Sequence, residues 1–370
     1  MTEYIMVGCD LHDETMLLKI AQGRGPAEKR VVENTPSGRR QMIRDLQRRS
    51  KSAGAKVVFA YEASSAGFGL CDELSEAGIV CHVLAPTKIA RSAQHRRRKT
   101  DERDADRILE VLRGHLLAGN ELPAVWVPDR QTREDREILR SRLDVGEKLT
   151  ALKTQVRTLL KRHSIRKPAG LSKHWTGAFE GWLRGLAGAQ SPLTHGAKLA
   201  LGSLLRQRAA LEEERARFDQ EVVALAQTLR YADPARALMQ LQGVGLLTAM
   251  VFLTEMGDLN RFKNRKQVGA YLGLAPSSDE SGEDSDRKGH ITHQGPWRVR
   301  RVLCQASWSR VRTEPAEKAV YERIAVKNPK HKKIAVVAAM RRLATVLWHI
   351  GSQTQRRQGC FAEQKAARVA

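Results

Sequence analysis

Short apolar runs alternate with polar turns over the first 90 residues of the chain. Residues 4–10 and 15–21 are apolar runs on either side of the polar segment 11–14, and this spacing predicts a β-hairpin. Further strands are predicted near 29–32 and at 56–61 and 79–84. Helices are predicted at 38–49, at 67–77 and from Asp101 onward. A strand meander followed by alternating strands and helices predicts an α/β domain with a mixed sheet.

A different pattern begins near residue 130, where apolar residues step by three and four along the chain. The first such stripe is Leu149, Leu152, Val156 and Leu159. The second is Leu211, Phe218, Val222, Leu225 and Leu229. Seams of this kind predict two long helices that pair as an antiparallel coiled coil or dimerise.

The last third of the chain is predicted to be helical. Residues 235–241 and 246–256 are two helical segments around a Gly-Val-Gly turn, and a polar loop (277–288) precedes a helix at 296–312. An apolar helix at 334–350 leads into a polar tail. The fold class is therefore α/β plus all-α. The predicted divisions are an α/β domain (1–125), a helical coiled-coil region (126–234), a helical domain (235–352) and a polar tail (353–370).

Charge indicates the class of partner. The chain has 64 Lys and Arg against 41 Asp and Glu, a net charge of +23. A protein this basic usually binds a polyanion, and its basic residues are spread along the chain instead of being confined to one amphipathic helix, which favours nucleic acid over a membrane surface. No membrane span or signal peptide is predicted, and five scattered cysteines are typical of reduced cytosolic thiols.

Four carboxylates occupy positions where they can converge. Asp10 and Glu62 end predicted strands, and Asp101 and Asp104 are three residues apart at a helix start, so they share one face. Hard divalent cations such as Mg²⁺ prefer oxygen ligands, and two of them about 3.5–4 Å apart catalyse phosphoryl transfer. Each acid alone has an ordinary explanation as a helix cap or a surface residue. Their order along the chain is that of a ribonuclease-H-type nuclease.

Three further features are candidates for nucleic-acid contacts. The basic run that precedes Asp101 includes Arg96, Arg97, Arg98 and Lys99, and it is either a solvated face or a surface that draws phosphates toward the acids. Gly243 and Gly245 resemble the turn of a helix-hairpin-helix, although any interhelical turn can use glycine. Arg298 and Arg301 follow the polar loop as phosphate partners.

Serines fill the polar loop, and composition alone does not choose among them. They are Ser277, Ser278, Ser281 and Ser285. A serine attacks phosphorus when its proton is removed and the developing charge is balanced by a metal or an arginine.

Several motifs together resemble one known family. They are GCDLH, YEASSAG, KTDERDADRIL, LQGVGLLTAMVFLTEMGDLNRFKNRKQVGAYLGLAPSSDESG with RKGHITHQGPWRVRRVL, and KKIAVVAAMRRLATVLW. They resemble the IS-one-ten family of bacterial insertion-sequence transposases, also called bridge-RNA-guided or seeker-RNA-guided recombinases. One segment departs from the family, which usually has Lys or Arg followed by Gly-Asn where this chain has residues 293–297, HQGPW.

The resemblance implies a RuvC-like N-terminal domain whose DEDD tetrad is Asp10, Glu62, Asp101 and Asp104 and binds Mg²⁺. It also implies a coiled-coil dimerisation region and a C-terminal transposase domain whose catalytic serine is Ser281, followed by Gly282. The expected partners are the element's DNA ends and target DNA, a structured non-coding guide RNA, and further copies of the chain in a homodimer or homotetramer. The expected location is the bacterial cytoplasm, in association with the nucleoid.

The leading hypothesis is therefore an RNA-guided, Mg²⁺-dependent transposase that exchanges strands through a serine nucleophile. One alternative is a RuvC-like nuclease or resolvase in which water attacks and the serine has no role. The other alternative is a non-catalytic nucleic-acid-binding relic of such an element.

Overall fold

A computed structural model describes residues 3–89, 100–171, 174–278 and 288–359. The chain divides into two compact units, Met1–Val127 and Pro128–Ala370. The finer divisions predicted inside the second unit remain predictions.

The first unit is built on a five-stranded mixed sheet. Its strands are β1 (Tyr4–Leu11), β2 (Thr15–Gln22), β3 (Glu28–Glu33), β4 (Lys56–Glu62) and β5 (Val80–Leu84). Their spatial order is β3-β2-β1-β4-β5, in which β1, β2 and β3 form an antiparallel meander and β1, β4 and β5 are parallel. The predicted mixed sheet is confirmed, and such a sheet with flanking helices fits a ribonuclease-H-like domain.

Helices cover both faces of this sheet. They are α1 (Pro36–Ala53), α2 (Gly69–Glu76) and α3 (Asp101–Ala118). Apolar residues of α1 and α2 pack on one face, and those of α3 pack on the other. The start of α1 is set by Thr35, whose hydroxyl accepts a hydrogen bond from the Gly38 amide, and by Pro36 in the first turn. Gly54 ends α1 in the left-handed conformation.

Two long helices begin the second unit, α4 (Arg130–Arg162) and α6 (His195–Ala226). Arg142 of α4 pairs with Asp219 at 2.5 Å, and Lys153, further along α4, lies 3.9 Å from Glu212, so the two helices run antiparallel. The first predicted stripe is buried. The second predicted stripe is wrong at its last residue, Leu229. Helix α6 ends at Ala226, and Leu229 is 92 % exposed in the turn that follows. Coiled-coil packing of the pair stays a prediction.

The remaining helices form the other part of this unit. They are α5 (Gly177–Ala187), α7 (Ala232–Met239), α8 (Leu246–Met256), α9 (Arg265–Tyr271), α10 (Trp297–Thr313), α11 (Pro315–Lys327) and α12 (Lys333–Gln358). The predicted helices on either side of the Gly-Val-Gly turn are confirmed as α7 and α8. The pattern predicted neither α11 nor the extension of α12 eight residues beyond 350.

The predicted polar loop is not entirely a loop. Its first residues form β6 (Pro276–Ser278), which pairs antiparallel with β7 (Lys288–Ile291). Ser277 and Ser278 therefore lie in a strand, where the Ser277 hydroxyl donates a hydrogen bond to the His290 carbonyl at 3.0 Å.

By length and composition α12 could cross a membrane, but a buried core helix passes the same test. In the structure α12 packs against α7, α10 and α11, and Leu343, Leu347 and Trp348 belong to the core of the second unit.

A partly buried ion pair joins α4 to this core. Arg140 makes two hydrogen bonds to the Glu255 carboxylate, at 2.7 and 3.0 Å, and Glu255 is 4 % exposed. Arg136 donates to the carbonyl oxygens of Thr254 and Glu255 at 2.9 and 2.7 Å, which satisfies carbonyls at the end of α8.

Candidate metal centre

Asp10 and Glu62 lie at adjacent strand ends on the same face of the sheet. The parallel register pairs Cys9 with Tyr61, so the next residues of the two strands are neighbours. Cys9 and Tyr61 are buried on the α1 side, and side chains alternate along a strand. Asp10 and Glu62 therefore point to the opposite side, which is the side that α3 covers.

The first turn of α3 brings two more acids toward this edge. Asp101 and Asp104 occupy the same helix face as Ala105 and Ile108, which are buried against the sheet. The close approach depends on Gly8, because a Cβ there would stand 2.5 Å from the Ala105 carbonyl oxygen. Glycine at this position allows the helix backbone to lie directly on β1.

Asp10, His12 and Asp101 form a compact group of ligand atoms. His12 Nε2 lies 3.0 Å from Asp10 Oδ2 and 3.5 Å from Asp101 Oδ1, and one ligand atom from each residue falls within 4.8 Å of the others. Asp104 pairs with Arg107 at 2.9 Å. The group offers two carboxylates and an imidazole, a donor set compatible with a divalent cation.

The electrostatics of Asp10 also favour a cation. Burial raises the pKa of Asp10, and the negative charges of Asp101 and Asp104 raise it further, while His12 acts in the opposite direction. A carboxylate that is disfavoured as an anion by burial and by neighbouring acids is stabilised as an anion by a bound positive ion.

Two lysines on the strands of the sheet hold the first turn of α3 in place. Lys19 of β2 is 8 % exposed and lies 2.8 Å from Glu102 and 3.2 Å from Asp106. Lys29 of β3 contacts the other Glu102 oxygen at 2.7 Å. These contacts lower the pKa of Glu102 to about 2. They hold the helix turn that carries Asp101 and Asp104.

Two residues near the site escaped the sequence reasoning. His12 follows Asp10 by two positions, and the alternation of a strand continued past Asp10 would have put both on one face. Lys19 is the single charge within the apolar run TMLLKIA, and a charge at such a position signals a buried partner.

The glycine turn and the two predicted arginines make contacts within the second unit. Gly243 has φ of 80° and packs against α10, where a Cβ would lie 3.2 Å from the Ala306 carbonyl oxygen. Gly245 begins α8 and its Cβ position is open. Arg298 pairs with Asp144 at 3.0 Å, and Arg301 pairs with Glu147, so both arginines contact acids of α4.

Five predicted site residues lie outside the described residues. They are Arg96, Arg97, Arg98, Lys99 and Ser281.

Comparison with known proteins decides the class of the molecule. Residues 7–165, which include all four acids, match a family model described as a transposase of the DEDD, IS110 type. Residues 235–322, which include Ser281 and the glycine turn, match the model of the "Transposase IS116/IS110/IS902 family". A relative from Sinorhizobium fredii that is named as a transposase, y4qE, is 30 % identical over 306 residues, 82 % of this chain and 71 % of the relative.

This chain belongs to the IS116/IS110/IS902 family of transposases. The transposase is also 25 % identical over 313 residues to the transposase for insertion sequence element IS1533 of Leptospira borgpetersenii, which covers 83 % of this chain and 86 % of the relative. It is 29 % identical over 125 residues, 33 % of this chain and 38 % of the relative, to a pilin gene-inverting protein of Moraxella bovis. The resemblance found in the sequence is confirmed, and the molecule is a DNA-binding transposase.

Proposed function

We propose that this transposase excises and inserts its own element by Mg²⁺-dependent strand exchange, with Ser281 as the nucleophile and a structured non-coding RNA as the guide. The observation that carries the proposal is the convergence of Asp10 and Asp101, with His12 between them, at the sheet edge where Glu62 also ends its strand. A cluster of acids at this edge does little to stabilise the fold, whereas it can take part in phosphoryl transfer.

The four acids and the two lysines near them would have different roles. Asp10, Glu62, Asp101 and Asp104 would hold divalent ions, and such ions neutralise phosphate charge and stabilise the attacking and leaving oxygens. Lys19 and Lys29 pair with Glu102 and not with these four ligands, and their role would be to hold the first turn of α3 in place. Mg²⁺ fits the oxygen-rich part of the donor set.

Ser281 is the proposed nucleophile because Gly282 follows it and because the Ser-Gly of the family aligns at this position. Ser277 already uses its hydroxyl as a donor to His290. Attack by the Ser281 oxygen would form a phosphorus–oxygen bond as the strand's phosphodiester bond breaks, and the serine proton would pass to the departing oxygen. The freed hydroxyl of another strand reverses this step and releases the serine, so rejoining needs no ATP.

The relative named for pilin gene inversion supports rejoining, because inverting a segment requires that every cut strand be sealed again. The net charge of +23 supports an RNA partner in addition to DNA.

Gly245, at the open N-terminus of α8, is proposed as a phosphate contact of a helix-hairpin-helix. Arg298, Arg301 and the run Arg96–Lys99 are proposed as further contacts. A homodimer or homotetramer joined through the α4–α6 pair, in the bacterial cytoplasm and at the nucleoid, completes the proposal.

The experiment is a strand-exchange assay on labelled donor and target DNA with the element's RNA. Covalent protein–DNA adducts would be trapped and mapped by mass spectrometry. We expect an adduct at Ser281, and we expect Ser281→Ala to lose both the adduct and the product while it still binds DNA. Ser277→Ala is the matched control and should retain both. Cleavage without any adduct would instead favour the RuvC-like nuclease, in which water attacks. A well-folded chain that binds nucleic acid and neither cuts nor joins it would favour the relic.

A further inference from the structure

Helix α1 carries two groups of basic residues with different surroundings. Arg39 and Arg49 point to acids of neighbouring elements, Glu73 at 2.8 Å and Glu28 at 2.7 Å. A second group follows the outer face at a spacing of four, four and three residues. This group, which we name the α1 basic stripe, consists of Arg40, Arg44, Arg48 and Lys51.

The α1 basic stripe is exposed and almost free of neutralising acids. All four side chains are exposed. Arg48 contacts Asp45, which also accepts from Arg30 at 2.6 Å. No acid of residues 3–89, 100–171, 174–278 or 288–359 forms an ion pair with the other three members. Uncompensated cations on one helix face repel one another, so a surface of this kind is stabilised by a bound polyanion.

Amide side chains complete the surface. A groove of about 330 Å³ on α1 is lined by Gln41, Arg44, Gln47, Arg48 and Lys51. Gln41 accepts a hydrogen bond from Arg44 at 2.8 Å, and Gln47 donates to the Ala77 carbonyl at 2.9 Å. Guanidinium, ammonium and amide groups are the donors that contact nucleic-acid phosphates and sugars.

The stripe starts near the sheet edge that bears the carboxylates, but on α1, which packs on the face of the sheet opposite to α3. Both β1 and β3 are antiparallel to β2, so the end of β3 lies at the same edge as Asp10. Just after β3, the Asn34 amide donates to the His12 carbonyl at 2.7 Å, and Arg39 donates to the Asn34 side chain at 2.8 Å. Arg40, the first member of the stripe, is the next residue. With a helical rise of 1.5 Å per residue, the stripe then runs about 16 Å away from this edge.

We propose that the α1 basic stripe docks the backbone of duplex DNA that continues past the carboxylate edge onto the α1 side of the sheet. The proposal rests on the proposed function of that edge and adds a surface to it. Duplex DNA carries one phosphate per strand for about every 3.4 Å of its axis, so a run of about 16 Å parallel to the axis passes roughly five phosphates of each strand, which is enough for four cations. The face between the cations bears glutamines and no exposed apolar side chain, so it lacks the apolar contact that membrane binding requires.

The test measures binding of the full-length chain to a labelled DNA duplex by fluorescence anisotropy over a range of NaCl concentrations, without divalent ions. The variant is R40Q/R44Q/R48Q/K51Q. The control, R184Q/R217Q/R236Q/K318Q, removes the same charge from four exposed residues that each pair with an acid of their own helix. Circular dichroism checks that both variants fold.

We expect the slope of log affinity against log salt to become shallower by about 3 to 4 in the stripe variant, and by less than about 1 in the control. Equal slopes in the two variants would overturn the proposal. Loss of binding to a structured RNA with unchanged DNA binding would also overturn it and would assign the surface to RNA. The carboxylate chemistry is tested separately, in the strand-exchange assay, so its failure can be distinguished from a failure of the α1 basic stripe.

Discussion

Gly8 of β1 lies directly against the backbone of α3, where a Cβ on Gly8 would stand 2.5 Å from the Ala105 carbonyl oxygen and 2.5 Å from the Leu109 amide nitrogen. This contact sets the distance between the helix and the sheet. Because Asp101 and Asp104 are on the first turn of the helix and Asp10 is two residues after Gly8, the same contact sets the spacing of the candidate metal ligands.

Replacing Gly8 with alanine should therefore disturb the site through the backbone. The added methyl group forces α3 away from β1, and overpacking of this kind costs about 1–3 kcal/mol of folding free energy. We expect Gly8→Ala to lower the denaturation midpoint and to reduce strand exchange at least about tenfold. Gly69→Ala is the control, because a Cβ at Gly69 meets nothing within 4 Å. Unchanged strand exchange in Gly8→Ala would show that α3 does not position the acids.

Lys19 should stabilise the first turn of α3 through its ion pairs with Glu102 and Asp106. Lys19→Met leaves Glu102 and Asp106 without their buried partner, and we expect faster amide hydrogen exchange over residues 101–106 together with weaker strand exchange. Lys29→Met removes an exposed partner of the same Glu102, and solvent screens an exposed pair of this kind. Its effect should be small. If the two variants exchange amide hydrogens at the same rate, Lys19 has no special part in holding the turn.

The ion pair between Arg140 and Glu255 gives a stability prediction for the second unit. Arg140→Met leaves the buried Glu255 carboxylate without its bidentate partner, while Arg136 remains 3.7 Å away, and we expect a loss of about 1–3 kcal/mol. Chemical denaturation should show this loss. Arg217→Met removes one side of an exposed pair and should change the free energy of unfolding by less than about 1 kcal/mol. A loss below about 1 kcal/mol in Arg140→Met would contradict a stabilising role for this contact.

The proposed guide RNA, which rests on the net charge of the chain and on the family resemblance, gives a prediction about purification. We expect the purified transposase to carry RNA, whose affinity falls steeply as salt rises, and we expect ribonuclease treatment to stop strand exchange. Adding back the element's own RNA should restore exchange, whereas an unrelated RNA of equal length should not. If RNA-free protein exchanges strands equally well, the proposal of a guide RNA is wrong, while the assignment to the transposases stands.

The strands of the sheet could be predicted from the sequence because each apolar run ends at a polar turn. The start of α3 at Asp101 was equally readable, since an acid-rich first turn follows Thr100. Leu229 was misplaced because the three-and-four stepping continues past Ala226 although the helix does not. Periodicity describes a face and does not show where a helix ends.

The acids of the candidate site could be proposed from the sequence, whereas the residues that hold them in place could not. Strand ends and helix starts are local features, and they indicated Asp10, Glu62, Asp101 and Asp104. The contact of Lys19 with Glu102 joins residues 83 positions apart, and the packing of Gly243 on Ala306 joins the turn between α7 and α8 to α10. Only the folded arrangement shows such contacts.

The most direct test of the central claim is Mg²⁺ binding to the full-length chain by isothermal titration calorimetry, for wild type, Asp10→Asn and Asp13→Asn. Asp13 is an exposed acid three residues along, so its replacement removes the same charge outside the ligand group. We predict that wild type and Asp13→Asn bind alike and that Asp10→Asn binds at least about tenfold more weakly, because it loses a ligand. Equal binding by Asp10→Asn and wild type, with the fold intact by circular dichroism, would contradict a metal centre at this edge of the sheet.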